Sequence, residues 1–117
     1  MTSDTIRFVE AHADCLLRTC IPGHLTGSAW IVSLDHARTL LTHHRKLNKW
    51  LQLGGHADGD PDLSAVALRE AREESGLVRL RLLAKELFDV DRHWIPARRT
   101  EPADWHYDLR FMVQADP

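Results

Sequence analysis

Residues 54–77 constrain the chain more than any other stretch: Gly-Gly-His-Ala-Asp-Gly-Asp-Pro-Asp-Leu-Ser-Ala-Val-Ala-Leu-Arg-Glu-Ala-Arg-Glu-Glu-Ser-Gly-Leu. They read as a glycine-rich turn feeding a helix with legible ends. Asp60 is the expected N-cap, Pro61 suits the first helical position where a missing N–H is no loss, and Asp62 adds negative charge near the positive end of the dipole. Gly76 supplies the left-handed residue that ends the helix. Leu63, Val66, Ala67 and Ala71 make an apolar stripe at helical spacing, leaving Arg69, Arg72 and the glutamates to the polar side. Such a helix docks on a core and still presents its carboxylates.

Glu70, Glu73 and Glu74 stand at i, i+3 and i+4, neighbouring positions on one helix face. Carboxylates this close repel and take up protons unless a cation holds them together. All-oxygen ligands suit magnesium or manganese better than zinc, and magnesium commonly keeps waters while binding substrate phosphates. The plainer reading is a solvated acidic helix in which Arg69 and Glu73 form a surface pair worth roughly 0.3–0.5 kcal/mol. The upstream glycines, the cap and the complete spacing favour the metal site. A short strand at residues 50–53 places Gly54 and Gly55 at its end, where backbone can approach a metal or phosphate closely.

The stretch resembles the Nudix box, a Gly, five residues, a Glu, seven residues, then Arg-Glu-hydrophobe-any-Glu-Glu-any-Gly-hydrophobe. From Gly55 the chain matches through Arg69, Glu70, Ala71, Glu73, Glu74, Gly76 and Leu77, the box occupying residues 55–77; Pro61 stands where the pattern has its first Glu. The resemblance implies an α/β fold, a Nudix-like α/β/α sandwich around a mixed β-sheet, with an added N-terminal helix. It implies magnesium- or manganese-dependent hydrolysis of the phosphoanhydride bond of a nucleoside diphosphate linked to another moiety, by attack of water at phosphorus. Glu70, Glu73 and Glu74 are then the metal ligands, joined by the Gly55 carbonyl. Either Glu73 or Glu74 takes the proton from water, and Arg69 orients the glutamates, with Asp58, Asp60 and Asp62 in support.

Substrate contacts are expected from the basic link at residues 43–49, where Arg45, Lys46 or Lys49 would clamp a diphosphate, the competing reading being a solvated loop. His56 is a substrate hydrogen-bond partner or proton carrier, or else a turn residue capping backbone groups. The rival function is a non-catalytic Nudix-like nucleotide sensor, favoured by Pro61. An isomerase acting on an isoprenoid diphosphate would need a Cys and Glu pair, and none is recognised.

At 117 residues with a net charge of −2 and eight histidines counted neutral, the chain reads as a single domain, 1–117, without long-range attraction for polymeric nucleic acid. The expected partner is a small molecule, with a homodimer as a compatible assembly. No run reaches membrane-span length and Met-Thr-Ser-Asp lacks a basic signal start, so a cytoplasmic location is expected. Cys15 and Cys20 read as buried reduced thiols.

Periodicity predicts an amphipathic helix over about 4–20, ended by Pro22-Gly23. Strands are expected at 28–34, with a hairpin partner at 38–42 across a turn at 35–37, and at 78–83, 87–94 and 105–113. Asp89 and Asp91 are expected on a solvated face. The loop at 95–103, with Arg98 and Arg99, is a candidate for substrate selection. In the final strand Tyr107, Leu109, Phe111 and Val113 share one face, while His106, Asp108 and Arg110 point toward ligand or water. His43-His44 lacks a third ligand at a recognised spacing. The resemblance implies a further strand and helix for which Ala115-Asp116-Pro117 leaves no room. A trimmed fold, an incomplete chain truncated at its C-terminus, or a partner over the open face are the expected explanations.

Overall fold

The computed structural model describes residues 2–44 and 48–116. The elements are α1 (Thr2–Ala11), β1 (Gly23–Val32), β2 (Thr39–Leu40), β3 (Thr42–His44), β4 (Lys49–Leu51), β5 (Leu53–His56), α2 (Leu63–Ser75), β6 (Leu80–Leu82), β7 (Asp89–Ile95) and β8 (Asp104–Ala115). Strands β1 and β8 run parallel at the centre, from Gly23 opposite Trp105 to Val32 opposite Gln114. Antiparallel partners flank them, β5 and β2 on β1, β6 and β7 on β8, while β3 and β4 form a separate two-stranded ribbon. The sheet is therefore mixed, and the α/β class is the one expected.

Side chains alternate across a strand, and here the alternation divides the sheet into an apolar and a polar face. Leu25, Ala29 and Ile31 of β1 and Tyr107, Phe111 and Val113 of β8 enter one core with Leu53, Leu63, Val66, Ala67 and Ala71. The stripe of α2 lies on this face. So does α1, whose Phe8 stacks on Tyr107 at 4.1 Å between centroids. Gly27 lets α2 approach β1: a Cβ there would sit 2.8 Å from the Leu63 carbonyl oxygen and 3.2 Å from Val66 Cγ1. The intervening positions, His24, Thr26 and Ser28 on β1 and His106, Asp108 and Arg110 on β8, share the other face.

Several elements differ from expectation for definable reasons. Helix α1 stops at Ala11 instead of continuing to about residue 20. The next residues form turns closed by Cys15 N–H to His12 O, Leu17 N–H to Asp14 O and Cys20 N–H to Leu17 O, whose three-residue spacing mimics a helical period. The carbonyls of Cys15 and Leu16 instead accept from Leu25 and Gly59, tying the segment to β1 and to the turn before α2. Strand β1 begins at Gly23, earlier than expected, because its first half is built of small and polar residues that a β-propensity reading passes over. Gly54 and Gly55 lie inside β5 rather than beyond a strand end. The hairpin of β1 with β2 forms as expected, and Cys15 and Cys20 are buried free thiols. Among the described residues, no helix is long and apolar enough to cross a membrane.

Candidate functional site

Strand β5, the turn after it and α2 bring the box residues together. Gly55 pairs with Gly27 of β1 and faces α2, and a Cβ on it would stand 2.5 Å from Glu70 Cδ and 2.8 Å from Glu70 Oε2. The Glu70 carboxyl thus rests on the strand backbone where only glycine leaves space. One residue earlier, the Gly54 N–H donates to Glu74 Oε1 at 3.1 Å. Two of the three glutamates reach back to the two glycines, and Glu73 is exposed beside them.

The helix start is not at Asp60. Asp62 is the N-cap, accepting from Ala65 N–H at 3.2 Å, and Pro61 lies before the helix. Left-handed backbone at Asp58 (φ 49°) and Gly59 (φ 91°) turns the chain first, so the two residues after it remain outside the helix. Gly76 ends α2 at φ 72° with its N–H on the Arg72 carbonyl, as the sequence predicts. Asp60 instead faces the box arginine: its Oδ2 lies 3.8 Å from Arg69 Nη1, while Arg69 Nη2 lies 3.8 Å from Glu70 Oε1. Arg69 therefore sits between the box and an aspartate next to Pro61. Asp58 is held in a two-pronged pair by Arg18 at 2.8 and 2.9 Å, which pulls its pKa below the ordinary value.

Burial raises the Glu70 pKa above the ordinary carboxylate value, and the charge of Glu73 raises it further. Burial also raises that of Glu74; the Gly54 N–H opposes this, and Glu70 and Glu73 add to it. Negative charge is crowded at this helix face, and Arg69 offsets only part of it at Glu70. An all-oxygen donor set with mutual repulsion and a glycine-lined approach fits a hard divalent cation. The carboxylates are not yet gathered as a cage. Among the described residues, the groups of three potential ligands whose atoms lie within 4.8 Å of one another are His12–Asp14–Cys20 and His24–Asp104–His106, and the glutamates form neither.

Of the expected substrate contacts, Arg45 and Lys46 lie outside the described residues. Lys49 is exposed on β4. His56 follows Gly55 on β5 and so points to the polar face, away from the glutamates; its Nδ1 lies 2.9 Å from His24 Nε2. Arg98 is turned inward onto Glu101 and the Pro96 carbonyl rather than out of its loop. Asp89 and Asp91 are not simply solvated: with Asp108 they surround Arg110 at 3.1 Å each, and Asp108 also accepts from Thr26 and Ser28 hydroxyls at 2.9 and 2.8 Å.

His24 and Asp104 escape a motif search altogether. The signal available was alternation: His24, Thr26 and Ser28 share a face that β8 continues with His106 and Asp108. Only the parallel register of β1 with β8 sets His24 against His106, with ring centroids 4.6 Å apart.

No protein-family model matches the sequence, and no curated protein matches it. Among solved structures, the fold is similar to the crystal structure of C. elegans Ap4A hydrolase, with a TM-score of 0.55 and 15% identity, covering 80% of this chain and 68% of that one. At that identity the likeness speaks for the fold alone, a Nudix-like mixed α/β arrangement.

Proposed function

We propose that the chain is a magnesium- or manganese-dependent hydrolase that cuts a phosphoanhydride bond in a nucleoside diphosphate linked to another moiety. The observation that carries this reading is the docking of α2 on the two glycines of β5, with Glu70 lying over Gly55 and Glu74 held by the Gly54 N–H. A divalent cation there would neutralise diphosphate charge and make water a better nucleophile. Glu70, Glu73 and Glu74 would hold it with the Gly55 carbonyl, and Glu73 or Glu74 accepts the proton of the attacking water. Arg69 positions Glu70, and Asp60 steadies Arg69 in place of the missing box Glu. Arg45 and Lys46 clamp the diphosphate.

The test is product release from a panel of nucleoside diphosphate derivatives, with magnesium, manganese or chelator. Dinucleoside polyphosphates belong in the panel because the structural neighbour is an Ap4A hydrolase. Metal-dependent turnover that a chelator stops is the expected result. The second reading, a non-catalytic nucleotide sensor, draws on Pro61 and on the ungathered carboxylates; nucleotide binding without turnover of any panel member would favour it.

A further inference from the structure

The beginning of β1 and the beginning of β8 bring three metal-ligating side chains into a space where hydrogen bonding leaves them unsatisfied. His24 Nδ1, Asp104 Oδ1 and His106 Nε2 are buried without a hydrogen-bond partner. His24 is 1% and Asp104 4% exposed. Native folds leave few such groups, so three in one place call for a partner. The atoms are close to one another: His24 Nδ1 lies 2.9 Å from Asp104 Oδ2, an ion-pair contact, and His106 Nε2 lies 3.5 Å from Asp104 Oδ1.

We propose that His24, Asp104 and His106 form a second cation site, of zinc type, separate from the box glutamates. One ligand atom of each residue lies within 4.8 Å of the others. Zinc bonds of about 2.0–2.2 Å in tetrahedral geometry place ligand atoms roughly 3.4 Å apart, close to the 3.5 Å between His106 Nε2 and Asp104 Oδ1. Two imidazoles and a carboxylate suit zinc, whereas the all-oxygen glutamates suit magnesium. Three protein ligands leave a fourth position open.

The surroundings supply what such a site needs. With Nδ1 toward the metal, His24 Nε2–H donates to His56 Nδ1 at 2.9 Å, fixing the tautomer and ring orientation. Arg98 Nη2 stands 3.8 Å from Asp104 Oδ1, too far for a hydrogen bond, and is engaged by Glu101. It offsets part of the aspartate charge without filling the space.

The experiment is titration of metal-free full chain with zinc, and with cobalt(II) as a visible probe of geometry, in excess magnesium. One equivalent should bind, giving the intense visible bands of tetrahedral cobalt. Binding should persist in the Glu73→Gln/Glu74→Gln double variant and weaken by roughly a hundredfold in His106→Asn. His106 is chosen because its side chain is 14% exposed, leaving it the least buried of the three. X-ray absorption on the zinc-loaded wild-type chain reads the nitrogen and oxygen shell without any variant. Absence of zinc binding in the wild-type chain overturns the site, as does binding that the double variant removes while His106→Asn keeps it. Neither result bears on hydrolysis at the box.

Discussion

Replacing Gly55 by Ala separates the box geometry from the stability of the fold. The added Cβ would meet Glu70 at 2.5 Å from Cδ, 2.8 Å from Oε2 and 2.9 Å from Cγ, all atoms of a flexible side chain rather than backbone. Glu70 escapes by rotating, at about 0.5–1.5 kcal/mol if it leaves its rotamer. The lost freedom of the unfolded chain returns about 0.4–1 kcal/mol. Stability should change by no more than about 1 kcal/mol, a melting shift of at most about 5 °C for a chain of this size. Gly27→Ala is the control, because its Cβ meets the Leu63 carbonyl oxygen at 2.8 Å and the Ala67 nitrogen at 3.3 Å, backbone that cannot rotate away. Overpacking of that kind costs about 1–3 kcal/mol. Displacing Glu70 from the strand, in contrast, should lower kcat/KM by roughly 10–100-fold, with weaker magnesium activation. Thermal melts and magnesium-dependent kinetics on both variants decide the matter. Full activity in Gly55→Ala would refute the role of the Glu70 contact, and a loss of stability equal to that of Gly27→Ala would show that Glu70 is locked rather than mobile.

Pro61→Glu should leave turnover undiminished, since Pro61 is exposed ahead of the N-cap and Asp60 already stands by Arg69; a large drop in kcat/KM would mean the turn itself requires proline. Asp62→Ala should melt below the parent at pH 7. Hydrogen bonds from Ser64 and Ala65 hold the Asp62 pKa below its ordinary 3.8, so the cap's contribution is present above that value and lost as pH falls through the lower folded one; the gap between variant and parent should therefore close in acid, and a gap independent of pH would contradict the charged cap. Cys20 is 1% exposed with its thiol pushed up to about 11, chiefly by burial, and Cys15 is raised for the same reason. Neither should react with a thiol reagent near neutral pH until denaturant is added, and rapid labelling of the folded chain would place them elsewhere.

The box is legible because its information is local. A helix of this length declares its stripe, its C-terminal glycine and its carboxylate spacing within one run of residues, and α2 forms where they place it. Its start is ambiguous because Asp60-Pro61-Asp62 offers two caps, and the choice is made by the left-handed backbone at Asp58 and Gly59 upstream. The N-terminal helix reads too long because three-residue turns repeat their apolar positions at nearly helical spacing; what stops α1 is long-range, the bonding of Cys15 and Leu16 carbonyls to Leu25 and Gly59. The polar face is the least legible part. His24, His56, Asp104 and His106 are scattered along the chain, and no local spacing links the expected ligand-facing His56 and His106 to His24 or Asp104. The parallel pairing of β1 with β8, with β5 alongside, is what brings them together.

The proposed hydrolysis stands or falls with the three glutamates of α2. The decisive experiment is magnesium-dependent turnover of a reactive panel member by the parent and by Glu74→Gln. The amide can still accept from the Gly54 N–H and so preserves the local fold, while the charge is removed. Turnover in the variant should vanish, with an unchanged melting profile in chelator. Equal kcat in parent and variant would remove the glutamates from the chemistry.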